Sequence, residues 1–311
     1  MTVSEFADAL RQRDDFLILT HTRPDGDTLG SAAALCSGLR RAGKTAVIYP
    51  NPEVTEHYLP MVAPYFGPER EGQCVLCVDV AGEEMFPKGF RRGKADLCVD
   101  HHAKNPGFAP LTLLDGDKAS CGEIVMELIE LLCGELTKEE ADSLYTAVST
   151  DCGCFVYGNT RADTHRAAAH LMDCGADAKR LNKSLFRSVS YSRLVLEGLI
   201  FSSLRAMKDG QLVSATVTLD MMKRAGATED DCDDLASLPG RVRGNRASVL
   251  VRELAPGRSK ASIRTDGSVD ASAVCARFGG GGHKMASGCT ADLGPEELTE
   301  ALLGAIAEVW P

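Results

Sequence analysis

The 311-residue chain contains no run approaching 18 uncharged apolar residues, which argues against a membrane-spanning helix. It has no excess of positive charge: 34 Lys and Arg stand against 44 Asp and Glu, a formal charge of −10 at pH 7. A protein that coats long duplexes through phosphate contacts needs the opposite balance, whereas a small nucleotide needs only a local basic cluster. The opening MTVSEFADALRQRDDF has no basic leader followed by an apolar run, so the expectation is a cytoplasmic protein. In that setting the 12 cysteines are not a disulfide framework. Cys74 and Cys77 form the single CxxC pair, inside CVLCVDV, where residues three apart point to opposite faces of a strand. They are read as buried thiols rather than a zinc or redox pair. There is no internal repeat, and no low-complexity tract beyond four consecutive glycines.

What is present is an ordinary globular composition, 44% hydrophobic and 25% charged, with length for about two domains. Up to residue 115, short β-rich runs alternate with helical stretches: FLILT (16–20), TAVIYP (45–50), CVLCVDV (74–80), DLCVDHH (96–102) and FAPLTLLD (108–115). Strands separated by helices imply an α/β domain with a doubly wound, mostly parallel sheet and helices on both faces. From 120 to 200 the pattern is mainly helical. After 200 come hairpin signals around Lys208-Asp209-Gly210 and Ala255-Pro256-Gly257, then a short helix, the glycine loop and a closing amphipathic helix. The expected division is a domain over 1–190, a linker over 191–200 and a smaller α/β domain over 201–311.

Several β-rich runs end in residues that suit a metal. FLILT leads into His21, Asp25 and Asp27; CVLCV into Asp79; DLCV into Asp100, His101 and His102; and the helical AVST into Asp151. Singly, each has a plain structural reading: Asp25-Gly26-Asp27-Thr28 suits a turn and helix N-cap, and Asp79 suits a strand end. Together they place carboxylates and imidazoles at equivalent strand ends, where open parallel sheets bind ligands. That oxygen- and nitrogen-rich set suits two hard-to-borderline divalent ions, whereas a structural zinc site favours thiolates.

HTRPDGDTLGS, CVDVAG, DHH at 100–102 and STDCGCF resemble the four motifs of the DHH phosphoesterases, and FGGGGHKMASG at 278–288 resembles the glycine-rich motif of their DHHA1 domain. The compact layout is similar to the stand-alone oligoribonuclease (nanoRNase) and 3′-phosphoadenosine-5′-phosphate phosphatase branch. The resemblance implies a two-metal centre, with manganese as the ion, in a cleft between the domains. His21 and Asp25 would hold one ion, Asp27, His101 and Asp151 the other, and Asp79 both. It implies a catalytic role for His102 near the phosphate, with Asp100 orienting an imidazole.

The implied activity is hydrolysis of very short RNAs to mononucleotides and of 3′-phosphoadenosine 5′-phosphate to AMP. Cyclic di-AMP or linear pApA are alternative substrates, and a non-catalytic nucleotide-binding module is the reading from another class. The resemblance also points to a homodimer.

Positions 239–264 carry Arg241, Arg243, Arg246, Arg252, Arg258, Lys260 and Arg264 against one acid, Glu253. This is read as a groove for substrate phosphate, with Arg264 facing it. By the same resemblance Gly280, Gly281, Gly282, His283 and Ser287 would receive the terminal nucleotide, with Arg187 in SLFRSVS as a further contact. Two departures concern substrate preference: Cys152 or Cys154 stands where the family often has a small hydroxyl residue, and an arginine is common near Val156.

Overall fold

A computed structural model describes residues 1–232 and 234–310, which divide into two compact units, one ending at Ser188 and the other beginning at Val189. In the first unit the order is α1 (Val3–Arg11), β1 (Phe16–Leu19), α2 (Gly26–Arg41), β2 (Ala46–Ile48), α3 (Leu59–Val62), β3 (Cys74–Val78), β4 (Leu97–Asp100) and β5 (Leu111–Leu114). Helices α4 (Cys121–Cys133), α5 (Lys138–Asp151), α6 (Ala162–Asp173) and α7 (Ala178–Phe186) follow. The strands pair in parallel in the order β2-β1-β3-β4-β5. The direction of winding reverses between β1 and β3, and at such a switch point a crevice opens beyond the carboxyl ends of the strands.

The apolar strands are buried on both sides, as a parallel sheet requires. Phe16, Ile18, Leu76 and Val78 pack with α1, α2, α4 and α5, while Leu17, Leu19, Val75 and Cys77 face the other way. That second face is covered by connecting segments rather than by helices: Phe86, Phe90 and Phe108 pack edge to face over it, beside Tyr49. The segment 80–96 forms only a short 3-10 turn, Glu83–Met85, and supplies aromatic rings instead. Cys74 packs on the first face and Cys77 lies buried on the second, so the CxxC pair is split across the sheet.

Helices α2 and α5 lie against each other. A Cβ on Gly30 would collide with the Ser143 carbonyl and stand 3.1 Å from Ala147 N, and one on Gly26 would run into the Thr150 side chain. Small residues in GDTLGSAAA therefore let the start of α2 sit on the end of α5.

The second unit begins with α8 (Tyr191–Ser202), followed by β6 (Arg205–Met207), β7 (Leu212–Val217), α9 (Leu219–Ala225), β8 (Ala247–Ala255) and β9 (Arg258–Thr265). It closes with α10 (Ala271–Ala276), β10 (Gly281–His283), β11 (Ala286–Ala291) and α11 (Pro295–Glu308). Its sheet runs β10-β11-β9-β8-β7-β6 and is antiparallel except between β7 and β8. Helices α10 and α11 cover one face, and α8 and α9 cover the other.

Three local expectations change. Residues 191–200, expected as the linker, are the body of α8 and belong to the second unit, where Leu196 and Ile200 are buried in its core. FSSL at 201–204 accordingly ends that helix rather than opening a strand. The glycine run is not a loop throughout: Gly281, Gly282 and His283 pair with Gly288, Ser287 and Ala286 as an edge strand. Among the described residues no helix is long and apolar enough to cross a membrane.

Candidate metal centre and anion pocket

The side chains expected at the metal centre come from strand ends and helix ends of the first unit. His21 follows β1 and is almost fully buried; its Nδ1–H donates to Thr22 O at 2.8 Å, which leaves Nε2 free. The turn after it is tied down by Thr22 Oγ1 donating to Glu53 Oε2 at 2.6 Å, Arg23 N to the same oxygen, and Asn51 Nδ2 to His21 O. Asp25 is the N-cap of α2, accepting from Asp27 N at 3.0 Å and Thr28 N at 3.2 Å. The capping reading and the ligand reading of this residue therefore coexist, since a carboxylate has more acceptor positions than the cap uses.

Asp27, the second residue of the same helix, is fully buried. It accepts from Cys121 N at 2.7 Å and Gly122 N at 3.0 Å, so the amino terminus of α4 points at its carboxylate. Asp79 follows β3 in a left-handed conformation, φ +59°, and its N–H reaches Val99 O at 2.9 Å. Aspartate tolerates that region better than most residues, and sparsely populated backbone conformations cluster at functional sites. Asp151 closes α5, where Asn159 Nδ2 donates to its backbone oxygen at 3.2 Å; the chain then turns through Cys154 and Phe155 at φ +55° and +67°.

His101 donates Nδ1–H to Lys118 O at 3.2 Å, aiming Nε2 at Asp27 (3.6 Å), Asp79 (3.5 Å) and Asp151 (3.5 Å). The His21 Nε2 stands 3.6 Å from Asp25 and 3.7 Å from Asp79. His102 is half-exposed; its Nδ1 lies 2.8 Å from Asp100 Oδ1. Asp100 is buried, takes the backbone N–H groups of both histidines on that oxygen, and accepts from Asn105 Nδ2 at 2.7 Å on the other.

Three groups of ligand-type atoms gather within 4.8 Å of one another: His21, Asp25 and Asp79; Asp27, His101 and Asp151; and Asp79, His101 and His102. Asp79 belongs to two of the groups, and its buried Oδ1 has no hydrogen-bond partner among the described residues. Burial, reinforced by the neighbouring carboxylates, pushes Asp27 and Asp79 far above the usual carboxylate range and raises Asp151 as well. Burial alone would lower His21, but the hydrogen bond and charge of Asp25 outweigh it and raise it. His102 is raised chiefly by its bond to Asp100.

Four carboxylates crowded around three imidazoles, one oxygen left unpaired, is a costly arrangement without cations. Divalent ions would relieve it, and oxygen and imidazole donors are those that hard-to-borderline ions take. The residues present therefore fit a metal centre.

In the second unit a cavity of about 540 Å³ is lined by Lys260, Ser262 and Arg264 of β9, Gly279 to Gly281, and Ser287 to Thr290. Another, of about 290 Å³, shares Lys260, Ser262 and Arg264. Arg264, Gly280, Gly281 and Ser287 are brought together as expected, whereas Gly282 and His283 lie outside the lining. Ser287 Oγ donates to His283 O at 2.7 Å, so its free capacity is as an acceptor. Arg187 is an exposed residue at the end of α7 in the first unit and is in neither the cluster nor the cavity.

The basic stretch is not one groove. Arg246, Arg252 and Arg258 face Asp266, Glu229 and Asp292 at 3.4, 2.9 and 3.8 Å; Lys260 and Arg264 line both cavities, and Arg252 lines only the smaller one. Ser262 was missed, although period-two alternation along KASIRT places it beside them. Asn105, Asn159 and Glu53 were missed too. They support the cluster from other loops, and no local spacing marks them.

A sheet-edge cluster of carboxylates and imidazoles, with a separate basic cavity, is the equipment of a metal-dependent hydrolase of phosphate esters. The chain belongs to the DHH–DHHA1 phosphoesterase family: residues 15–148 match the DHH family, N-terminal domain, and residues 209–309 match the DHHA1 domain. It is 35% identical to a Thermus thermophilus protein named bifunctional oligoribonuclease and PAP phosphatase NrnA, over 94% of this chain and 89% of that one. The Bacillus subtilis protein of the same name is 26% identical over 89% of each chain. The crystal structure of an exopolyphosphatase-related protein from Bacteroides fragilis superposes with a TM-score of 0.86 at 22% identity, covering 98% of this chain and 96% of that one, and shows the shared fold.

Proposed function

We propose that the protein is a two-metal phosphodiesterase that hydrolyses very short RNA oligonucleotides to mononucleotides and removes the 3′-phosphate of 3′-phosphoadenosine 5′-phosphate, with Mn²⁺ as its ion. The observation that carries this reading is the placing of Asp79, whose unpaired Oδ1 and second oxygen face two separate groups of ligand atoms. His21 and Asp25 would hold one ion, Asp27, His101 and Asp151 the other, and Asp79 both. The names of the two relatives support the substrate class.

When bound, the ions supply Lewis acidity toward the phosphoryl oxygens and toward a water. The chain does the rest. Asp100 holds the His102 Nδ1 proton, so Nε2 is presented to the phosphate, where a raised pKa favours the protonated ring that stabilises negative charge. Asn105 fixes Asp100 from behind. In the second unit Lys260 and Arg264 offer charge-assisted hydrogen bonds to a nucleotide phosphate, and the backbone of Gly280 and Gly281 lets a nucleotide approach closely, with Gly282 next in the chain proposed to assist. His283, Ser287 and Arg187 are proposed to assist.

The test is a substrate panel with Mn²⁺: RNAs from dinucleotides upward, 3′-phosphoadenosine 5′-phosphate, pApA and cyclic di-AMP, with products resolved by length. Mononucleotides from the short RNAs and AMP from the bisphosphate are expected. Preferential turnover of cyclic di-AMP would replace this reading with a signalling phosphodiesterase. Tight dinucleotide binding without product would make the protein a binding module.

A further inference from the structure

The first unit holds a cavity of about 390 Å³ between the segment 57–65, α5 and α7, and none of its lining residues belongs to the metal cluster. Its size is that of a small-molecule site, and so is its lining. Tyr58, Pro60, Met61 and Tyr65 come from the first segment, and Leu181 and Leu185 from α7. The rings are steadied from outside: His57 meets Tyr58 edge to face at 4.9 Å, and Arg40 Cζ stands 5.1 Å from the centre of the Tyr65 ring.

Most polar groups in the lining are already engaged. Ser143 Oγ and Thr146 Oγ1 donate to Glu139 O and Asp142 O at 2.9 and 3.0 Å. Asp142 accepts from Asp177 N and Lys138 Nζ at 2.7 Å and from Arg180 at 2.8 Å. The Glu139 carboxylate and the Ser184 hydroxyl have no side-chain partner among the described residues. Arg180 is the single Lys or Arg in the lining, and Asp142 already holds it. The cavity therefore suits a flat apolar body with a hydrogen-bond donor, and disfavours an anion.

We propose that this cavity binds an uncharged, planar, amino-bearing heteroaromatic ligand of nucleoside size, and that its occupancy tightens metal binding through α5. The tyrosines and prolines take the faces of the ring system, and Glu139 accepts from its amino group. The cavity wall leads to the metal centre by direct contacts. Ser143 presents the carbonyl on which Gly30 of α2 sits. Thr146 O accepts from Thr150 Oγ1 at 2.8 Å, and Thr150 packs on Gly26, between Asp25 and Asp27. Asp151 follows directly. A ligand that fixes α5 against α7 thus orders in advance the helix that brings Asp151 to Asp27, so a metal ion bound there has less freedom left to remove. Binding at this cavity does not depend on the reaction proposed above.

The test is calorimetry of adenosine with the full-length protein, chelator-treated and with Mn²⁺. Binding to the chelator-treated protein is expected. Ser184→Trp, which fills the cavity from an exposed helical position, should abolish it. Glu139→Ala, which removes only an exposed carboxylate, should weaken it roughly tenfold and decides the matter if the tryptophan disturbs the fold. Arg264→Ala, in the other unit, should leave it unchanged. Saturating adenosine should raise Mn²⁺ affinity about fivefold or more in the unaltered protein and not in Ser184→Trp. AMP should bind at this cavity more weakly than adenosine, read as the part of its binding that Ser184→Trp removes. No adenosine binding, or binding that survives both Ser184→Trp and Glu139→Ala, overturns the site. Tighter binding of AMP than adenosine there overturns the uncharged class of ligand, and unchanged or lower Mn²⁺ affinity overturns the coupling.

Discussion

At the scale of the residue, the metal centre depends on carboxylates held where charge is unfavourable. Asp79→Asn keeps the shape of the side chain while removing the charge between the two ligand groups. Phosphodiesterase activity is expected to fall by orders of magnitude, with retained circular dichroism and weakened Mn²⁺ binding by calorimetry; near-normal turnover with full metal binding would reject the role given to Asp79. Asp25 permits a finer separation because it also caps α2. Asp25→Asn retains a capping acceptor and should lose metal affinity with little change in Tm, whereas Asp25→Ala should lose the cap as well, at a further cost of about 1 kcal/mol.

The raised carboxyls carry a definite sign. Asp27, Asp79 and Asp151 favour the metal-free fold while protonated, a contribution complete below their ordinary value of 3.8 and lost as pH rises through their raised folded values. His21 and His102, also raised, act in the same direction from their ordinary 6.5 upward. Thermal unfolding of chelator-treated protein should therefore show Tm falling as pH rises above the ordinary carboxylate range. Asp79→Asn should flatten that fall, and Mn²⁺ should raise Tm more at pH 8 than at pH 5.

At the scale of the element, close backbone approach decides two junctions. The α2–α5 contact seats the start of one helix on the end of the other, carrying Asp27 and Asp151 to the same place. The turn onto β10 sets Gly280 against β11. Gly280→Ala should force the edge strand away from β11 and reduce dinucleotide hydrolysis, while Mn²⁺ binding and bis-p-nitrophenyl phosphate hydrolysis remain; equal losses on both substrates would show that the effect is general instability. Gly30→Ala pushes a methyl group into the Ser143 carbonyl and should destabilise the first unit by about 1–3 kcal/mol, read as a lower urea midpoint.

At the scale of the molecule, the two units divide the proposed work, one placing metal ligands and the other gripping a nucleotide. Arg264→Ala and Lys260→Ala should leave metal binding intact. Each removes a charge-assisted contact worth about 1.5–3 kcal/mol, a loss of roughly 10- to 150-fold in kcat/KM on dinucleotides, with little change on bis-p-nitrophenyl phosphate. Arg252→Ala, whose guanidinium is engaged by Glu229 at 2.9 Å, should cost much less, which distinguishes the cavity from a general basic field. Steady-state kinetics on the two substrates, side by side, decide the matter.

The sequence by itself determined the strands of the parallel sheet and marked the carboxylates and imidazoles that gather beyond their ends. Apolar runs such as FLIL and CVLCV bury on both faces only as inner parallel strands, and ligand-type residues directly follow four of the segments. These signals are local in the chain, so spacing makes them legible. Only the tertiary structure decided that the expected linker is the body of α8, that loops rather than helices cover one sheet face, and that three of the seven basic side chains of 239–264 face carboxylates. It alone also supplied Asn105, Asn159 and Glu53 as supports. Each of these rests on partners between 5 and more than 30 positions away, or on how closely two backbones approach. No local pattern encodes such contacts; they arise when packing brings distant segments together.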